Sequence, residues 1–93
     1  MQDERFEWDD AKADRNRRKH GITFDEARSV FDDPAAIDDI DMEAAEERWR
    51  RIGRAPSGLL LVIHTERRDR IRIISARKAN RHEQDLYYRQ AQP

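Results

Sequence analysis

The run Leu59, Leu60, Leu61, Val62, Ile63 is the longest unbroken apolar stretch in the chain. Five residues make a strand and fall far short of a membrane span. An apolar run without alternation suits a central strand, covered on both faces for part of its length. Beyond it come His64, Thr65 and Glu66, then Arg67, Arg68 and Asp69, and apolar residues resume at Ile71, Ile73 and Ile74. Two strands over 59–66 and 70–77, joined by a short turn, are the expected centre of the fold. If Arg68 and Asp69 alone form the loop, His64 stands opposite Ile73, and His64, Glu66, Ser75 and Arg77 share a face. A three-residue loop breaks that pairing, so the sequence leaves the register open.

Arg77 sits where the second of these strands runs out. Asn80 then reads as a helix N-cap, and Glu83 three residues later can close a capping box. A helix N-terminus presents free N–H groups and a partial positive charge, which suits a phosphate. Arg77 is read here as an exposed strand-end cation, so its removal should cost folding less than about 1 kcal/mol. The last helix is expected from Arg81 to about Arg89.

Towards the N-terminus, Phe6 and Trp8 lead into a first helix that Asp9 or Asp10 can cap and Gly21 can stop. Thr23 and Glu26 have the spacing of a capping box for a second helix, with Phe24, Ala27, Val30 and Phe31 on one side until Asp32, Asp33 and Pro34 end it. Residues 35–41 suit a short acidic edge strand and 48–54 another strand, with Trp49 and Ile52 on opposite faces. The expected fold is α+β: two N-terminal helices, a four-stranded antiparallel sheet and a C-terminal helix, in one domain over 1–93.

The chain has 93 residues, 42% of them charged, and no cysteine, which excludes disulfides and thiolate metal sites. The acidic N-terminus lacks the apolar segment of a signal peptide, and a cytoplasmic location is expected. The net charge of −1 conceals an asymmetry, with 16 acidic and 7 basic residues over 1–47 against 4 and 12 over 48–93. The second half is thus the natural polyanion-binding part. The plainer reading is that the two halves neutralise one another across the fold.

The segments FEWD at 6–9, Lys12, Asn16, KHGI at 19–22, TFDEA at 23–27, RWRRIGR at 48–54, LLLVIHTER at 59–67 and RIRIISARKA at 70–79 occur in an order and spacing that resemble the BrnT family. Residues 38–46 are more acidic than the commoner pattern, and Asp10 stands where many members have proline. The resemblance implies a RelE-like fold, a ribonuclease that inhibits translation, and a BrnA-like ribbon-helix-helix antitoxin. It also implies a heterotetramer, operator DNA bound indirectly through the antitoxin, and an arginine near the end of the strand that carries Arg77.

RNA is cleaved without a metal when its own 2′-hydroxyl attacks the phosphate, which needs a base, an acid and positive charge on the phosphorane. Arg77 and His64 are the candidate catalytic residues, the first as the phosphate fork and the second as the proton-transfer group. Lys19, His20, Arg54, Arg67, Arg81 and Tyr88 are the candidate RNA contacts. Asp38, Asp39 and Asp41 form no known ligand loop, and neither a metal nor a cofactor is expected. A competing reading is a nucleic-acid-binding module, or co-repressor subunit, without chemistry.

Overall fold

The computed structural model describes residues 1–91. The elements in chain order are β1 (Phe6–Glu7), α1 (Asp10–His20), α2 (Phe24–Ala27), a 3₁₀ turn (Arg28–Asp32), β2 (Ile37–Ile40), β3 (Trp49–Ala55), β4 (Gly58–Arg67), β5 (Arg70–Lys78) and α3 (Arg81–Ala91). The sheet has five strands in the order β1-β5-β4-β3-β2. Four of them form the expected antiparallel arrangement. The fifth, β1, runs parallel to β5, with Phe6 beside Ile71 and Glu7 beside Arg72. This corrects the expected four-stranded, wholly antiparallel sheet. A two-residue strand leaves no periodicity to read. It is set by Asp3, whose carboxylate accepts from the Arg5 and Phe6 N–H groups at 2.9 and 2.7 Å, and by Phe6 entering the core.

The second helix is also shorter than expected. Thr23 caps it as read, its hydroxyl oxygen accepting from Glu26 N–H at 3.1 Å. The capping box does not close, because the Glu26 carboxylate accepts instead from the Ser57 N–H and hydroxyl at 3.0 and 2.8 Å. After Ala27 the chain tightens into the 3₁₀ turn. There the Val30 carbonyl accepts from Arg51 Nε at 3.0 Å, and a Cβ at Gly53 would lie 2.8 Å from the Val30 Cβ. Only a residue without a side chain lets β3 approach this turn so closely.

Apolar side chains divide between the two faces. Phe6, Trp8, Phe24, Val30, Leu60 and Val62 belong to the cluster under α1 and α2. Ile52, Leu59, Leu61, Ala79 and Tyr87 form the second cluster, under α3. Leu60 and Val62 face one layer while Leu59 and Leu61 face the other, so the unbroken run is covered on both sides. No described helix is long and apolar enough to cross a membrane.

The β4–β5 turn is the two-residue loop, Arg68 and Asp69, both with positive φ of 53° and 65°. His64 stands opposite Ile73 as that loop requires. The register then shifts: Ile63 pairs with Ser75, which leaves Ile74 as an extra residue in β5. Because side chains alternate with period two, one inserted residue moves everything after it to the other face. Ser75 and Arg77 therefore lie on the α3 face and His64 and Glu66 on the other. The shared face expected for these four residues does not exist.

Beyond β1, the outer edge of β5 is closed by a side chain. Asn16 of α1 is buried, with 7% exposure. Its amide donates to the Ala76 carbonyl at 2.8 Å and to the Ile22 carbonyl at 3.0 Å, and its oxygen accepts from Ala76 N–H at 3.1 Å. It pairs with β5 as a neighbouring strand would. Asn16→Ala should lower stability by roughly 2–4 kcal/mol, since it orphans two buried backbone groups at Ala76. Denaturant midpoints at constant slope measure this; an unchanged midpoint would show that the edge pairing contributes nothing.

Candidate functional site

The capping box at the start of α3 closes in both directions. Glu83 N–H donates to Asn80 Oδ1 at 2.9 Å, and Asn80 N–H donates to Glu83 Oε1 at 2.8 Å. Arg77, at the end of β5, adds a bidentate pair to the same carboxylate, Nη1 to Oε1 and Nη2 to Oε2, both at 2.8 Å. Burial pushes the Glu83 carboxyl up, but the bonds from Arg77 and Asn80 outweigh it and hold the pKa below the ordinary glutamate value of 4.5. In return Glu83 raises the already high pKa of Arg77. Arg77 is thus a half-buried member of a pair rather than a free surface cation. Its removal would strand a buried carboxylate, so the small folding cost expected from the sequence is too low.

The pair leaves Arg77 able to bind more. A guanidinium has five N–H donors. Two engage Glu83 and one reaches the Lys78 carbonyl at 3.1 Å, while Nε–H and the second Nη2–H have no partner among the described residues. Those two point along one edge and form a second fork, suited to two oxygens of a phosphate. Glu83 also lines a cavity of about 260 Å³, with Arg50, Leu61, His82 and Leu86 among the other lining residues. Arg50 is paired with Asp39 across the β2–β3 ladder. Arg50 and His82 line this cavity beside Glu83, and sequence reading did not name them as candidates. The signal for Arg50 was the period-two alternation that places Arg48, Arg50, Ile52 and Arg54 on one face. His82 was legible only as the second residue of a helix that the cap had already located.

Of the residues expected to meet RNA, the structure gathers several at the Arg77 end of the sheet. Arg54 shares the α3 face, where its guanidinium lies 5.7 Å from the Tyr87 ring centroid. Tyr88 is 48% exposed and stands edge-on to Tyr87. Arg81 is exposed and pairs with Asp85 one turn on. Because Asn16 ties α1 to Ala76, the last turn of that helix, with Lys19 and His20, runs beside the end of β5. Arg67 lies at the other end of the hairpin, next to its turn. Tyr87 is buried, and its hydroxyl donates to Asp33 at 2.8 Å, so it serves the core. Among the described residues no group of three or more His, Cys, Asp or Glu is placed to hold a metal.

His64 is set apart from all of these. Its ring packs edge-on against Phe31 at 4.8 Å between centroids, with Asp38 Oδ1 3.7 Å from Nε2. Burial lowers its pKa below 6.5, opposed by Asp38 and reinforced by Arg51. A histidine held neutral in this way adds stability fully above the unfolded-state value of about 6.5, and that stability is lost as the pH falls through its lower folded value. Stability should therefore drop between pH 7 and 5, and His64→Gln should flatten that part of the curve. Denaturant midpoints across this range give the answer; a variant curve parallel to the parent's would assign the loss to other groups.

The descriptive family model "Ribonuclease toxin, BrnT, of type II toxin-antitoxin system" matches residues 8–83. Among curated proteins none matches the chain. The matched span starts at Trp8 and ends at Glu83, so it holds α1, the whole antiparallel part of the sheet, Arg77 and the closed capping box. The chain belongs to the BrnT family of ribonuclease toxins of type II toxin–antitoxin systems.

Proposed function

We propose that this toxin is an endoribonuclease that cleaves RNA by attack of the 2′-hydroxyl on the neighbouring phosphate, with no metal, on the α3 face of the sheet at Arg77. The observation that carries this reading is the second fork of Arg77, left open while Glu83 fixes the first. In the pentacoordinate transition state the phosphate gains negative charge on its non-bridging oxygens. A guanidinium already held in place gives two hydrogen bonds there with little reorganisation. Glu83 is the orienting group: its oxygens are engaged by Arg77 and Asn80, so it is a poor proton acceptor. His82, in the first turn of α3 and lining the same cavity, supplies a group of the right type for proton transfer. Lys19, His20, Arg54, Arg81 and Tyr88 bind the flanking nucleotides. His64, on the other face, takes no part in this scheme.

The natural inhibitor is a BrnA-like ribbon-helix-helix antitoxin. Dimerisation of that domain would make the complex a heterotetramer and bring it to operator DNA. The site of action is the cytoplasm, where RNA is translated.

Purified protein should cut RNA in excess chelator; activity lost in chelator and restored by one metal ion would overturn the metal-free scheme. Arg77→Ala should lower the cleavage rate on the order of 10²–10³-fold, as for one lost electrostatic donor. It should also destabilise by about 1–3 kcal/mol, because Glu83 is left unpaired. Arg77→Lys separates the two effects. It keeps a charge beside Glu83 and most of the stability, yet lacks the second fork and should remain at least about tenfold slow. If Arg77→Lys melts with the parent and cuts at the parental rate, the catalytic centre lies elsewhere.

A further inference from the structure

Among the described residues three polar or charged side chains are buried: Asn16, His64 and Glu83. Asn16 and Glu83 are fully bonded. His64 is not: its side chain is 10% exposed and neither ring nitrogen has a hydrogen-bond partner. An unpaired buried polar group costs about 1–3 kcal/mol, so its retention at this position points to something that pairs with it.

The surroundings of His64 are shaped. A cavity of about 320 Å³ opens where α2 and the 3₁₀ turn stop covering the sheet, and His64 forms part of its wall. Phe31, Trp49 and Ile71 supply the apolar walls, Asp38 and Glu66 the acidic groups, and Arg51, paired with Asp38, one cation. Trp49 is directly across the ladder from His64 and Ile40 across from Trp49, so a strip of these residues crosses three strands. Ile40 is 47% exposed. A second hollow adjoins this one, sharing Trp49 and Glu66 and adding Glu46 and Glu47. Asp38 is paired with Arg51 at 2.6 Å, whereas Glu46, Glu47 and Glu66 have no cationic partner within 4.0 Å among the described residues.

We propose that this groove is a docking surface for a basic segment of a protein partner, with one arginine side chain entering the His64 cavity against Trp49. A neutral imidazole has one ring nitrogen free to accept, and a guanidinium is a donor with no acceptor. The same guanidinium reaches the acidic rim and lays its plane on an indole. Burial, the largest influence on His64, keeps the ring neutral, and the charge of Arg51 in the same wall is offset by its pairing with Asp38, so the ring itself does not repel a cation. An apolar side chain would leave both ring nitrogens orphaned. A nucleic acid in this groove would set its phosphates against Glu46, Glu47 and Glu66, while Lys12, Arg48, Arg67 and Arg72 share a further hollow with Glu46 and Glu66, so the oligouridine in the test below decides between the two. The groove lies on the face opposite Arg77, so the proposal does not depend on where RNA is cut.

The test is a titration of the isotope-labelled full chain with the peptide acetyl-Arg-Ala-Arg-amide, followed by NMR. Shifts should cluster at the Trp49 indole, His64 and Ile71, with the buried Trp8 indole unmoved. Glu66→Lys, a change at an exposed residue away from Arg77, should weaken binding about tenfold or more without altering cleavage. Acetyl-Glu-Ala-Glu-amide and a short oligouridine should leave these signals in place. Shifts scattered over the surface, equal affinity in the Glu66→Lys variant, or displacement of the peptide by the oligouridine would each overturn the proposal. So would movement of the same signals on simple dilution, which would mean that a second copy of the chain covers the groove.

Discussion

The faces of this protein are decided by one extra residue. Ile74 has no partner across the β4–β5 ladder, and on either side of it β5 presents opposite parities to the sheet. Before it, Ile71 and Ile73 look towards α2; after it, Ala76 does, with 0% exposure, and Arg77 looks towards α3. Without the bulge, strict alternation would carry Arg77 to the side of Phe24 and Val30, where a guanidinium could not be solvated or paired at acceptable cost. With it, Arg77 ends beside Glu83, and Ala76 turns its free edge towards Asn16. The paired arginine and the position of α1 both follow from that insertion.

The same separation gives the molecule two chemically distinct surfaces. The α3 face holds Arg50, Arg54 and Arg77 near the start of a helix. The opposite face, past the cover of α2, holds an aromatic groove rimmed by unpaired glutamates. The charge asymmetry along the chain is only partly resolved within it. Acids of the first half pair with arginines of the second at Glu7–Arg72, Asp38–Arg51 and Asp39–Arg50. Neutralisation across the fold is therefore real. Among the groups it leaves to meet something else are the second fork of Arg77 on one face and the glutamate rim on the other.

Much of the local structure was legible. Asp9 caps α1, Gly21 ends it with φ of 73°, and Asn80 with Glu83 forms the reciprocal box that their spacing announced. These motifs are readable because each closes within four residues and needs nothing distant. The misses share the opposite property. Glu26 has the spacing of a capping box, yet it serves Ser57, a turn 31 residues away. The strand at Phe6 exists only because β5 offers an edge to pair with. Arg77 looks like a free cation until the helix it precedes folds back and presents Glu83.

By itself the sequence allowed, as one of two registers, the two-residue turn that puts His64 opposite Ile73, and it determined the two longer helices, the four antiparallel strands and their order, the helix caps flanking α1 and the two-sided cover of residues 59–63. All of these rest on propensities and periods that act over a few residues. Tertiary structure alone decided that Arg77 and His64 lie on opposite faces, that Arg50 and His82 line a cavity with Glu83, and that Asn16 completes the sheet. The reason is that a bulge is a compromise between two ladders. Its position is set by which register buries Ile73 and Ala76 together while keeping Arg77 paired, and that balance involves residues from α1, α2, β4 and α3 at once.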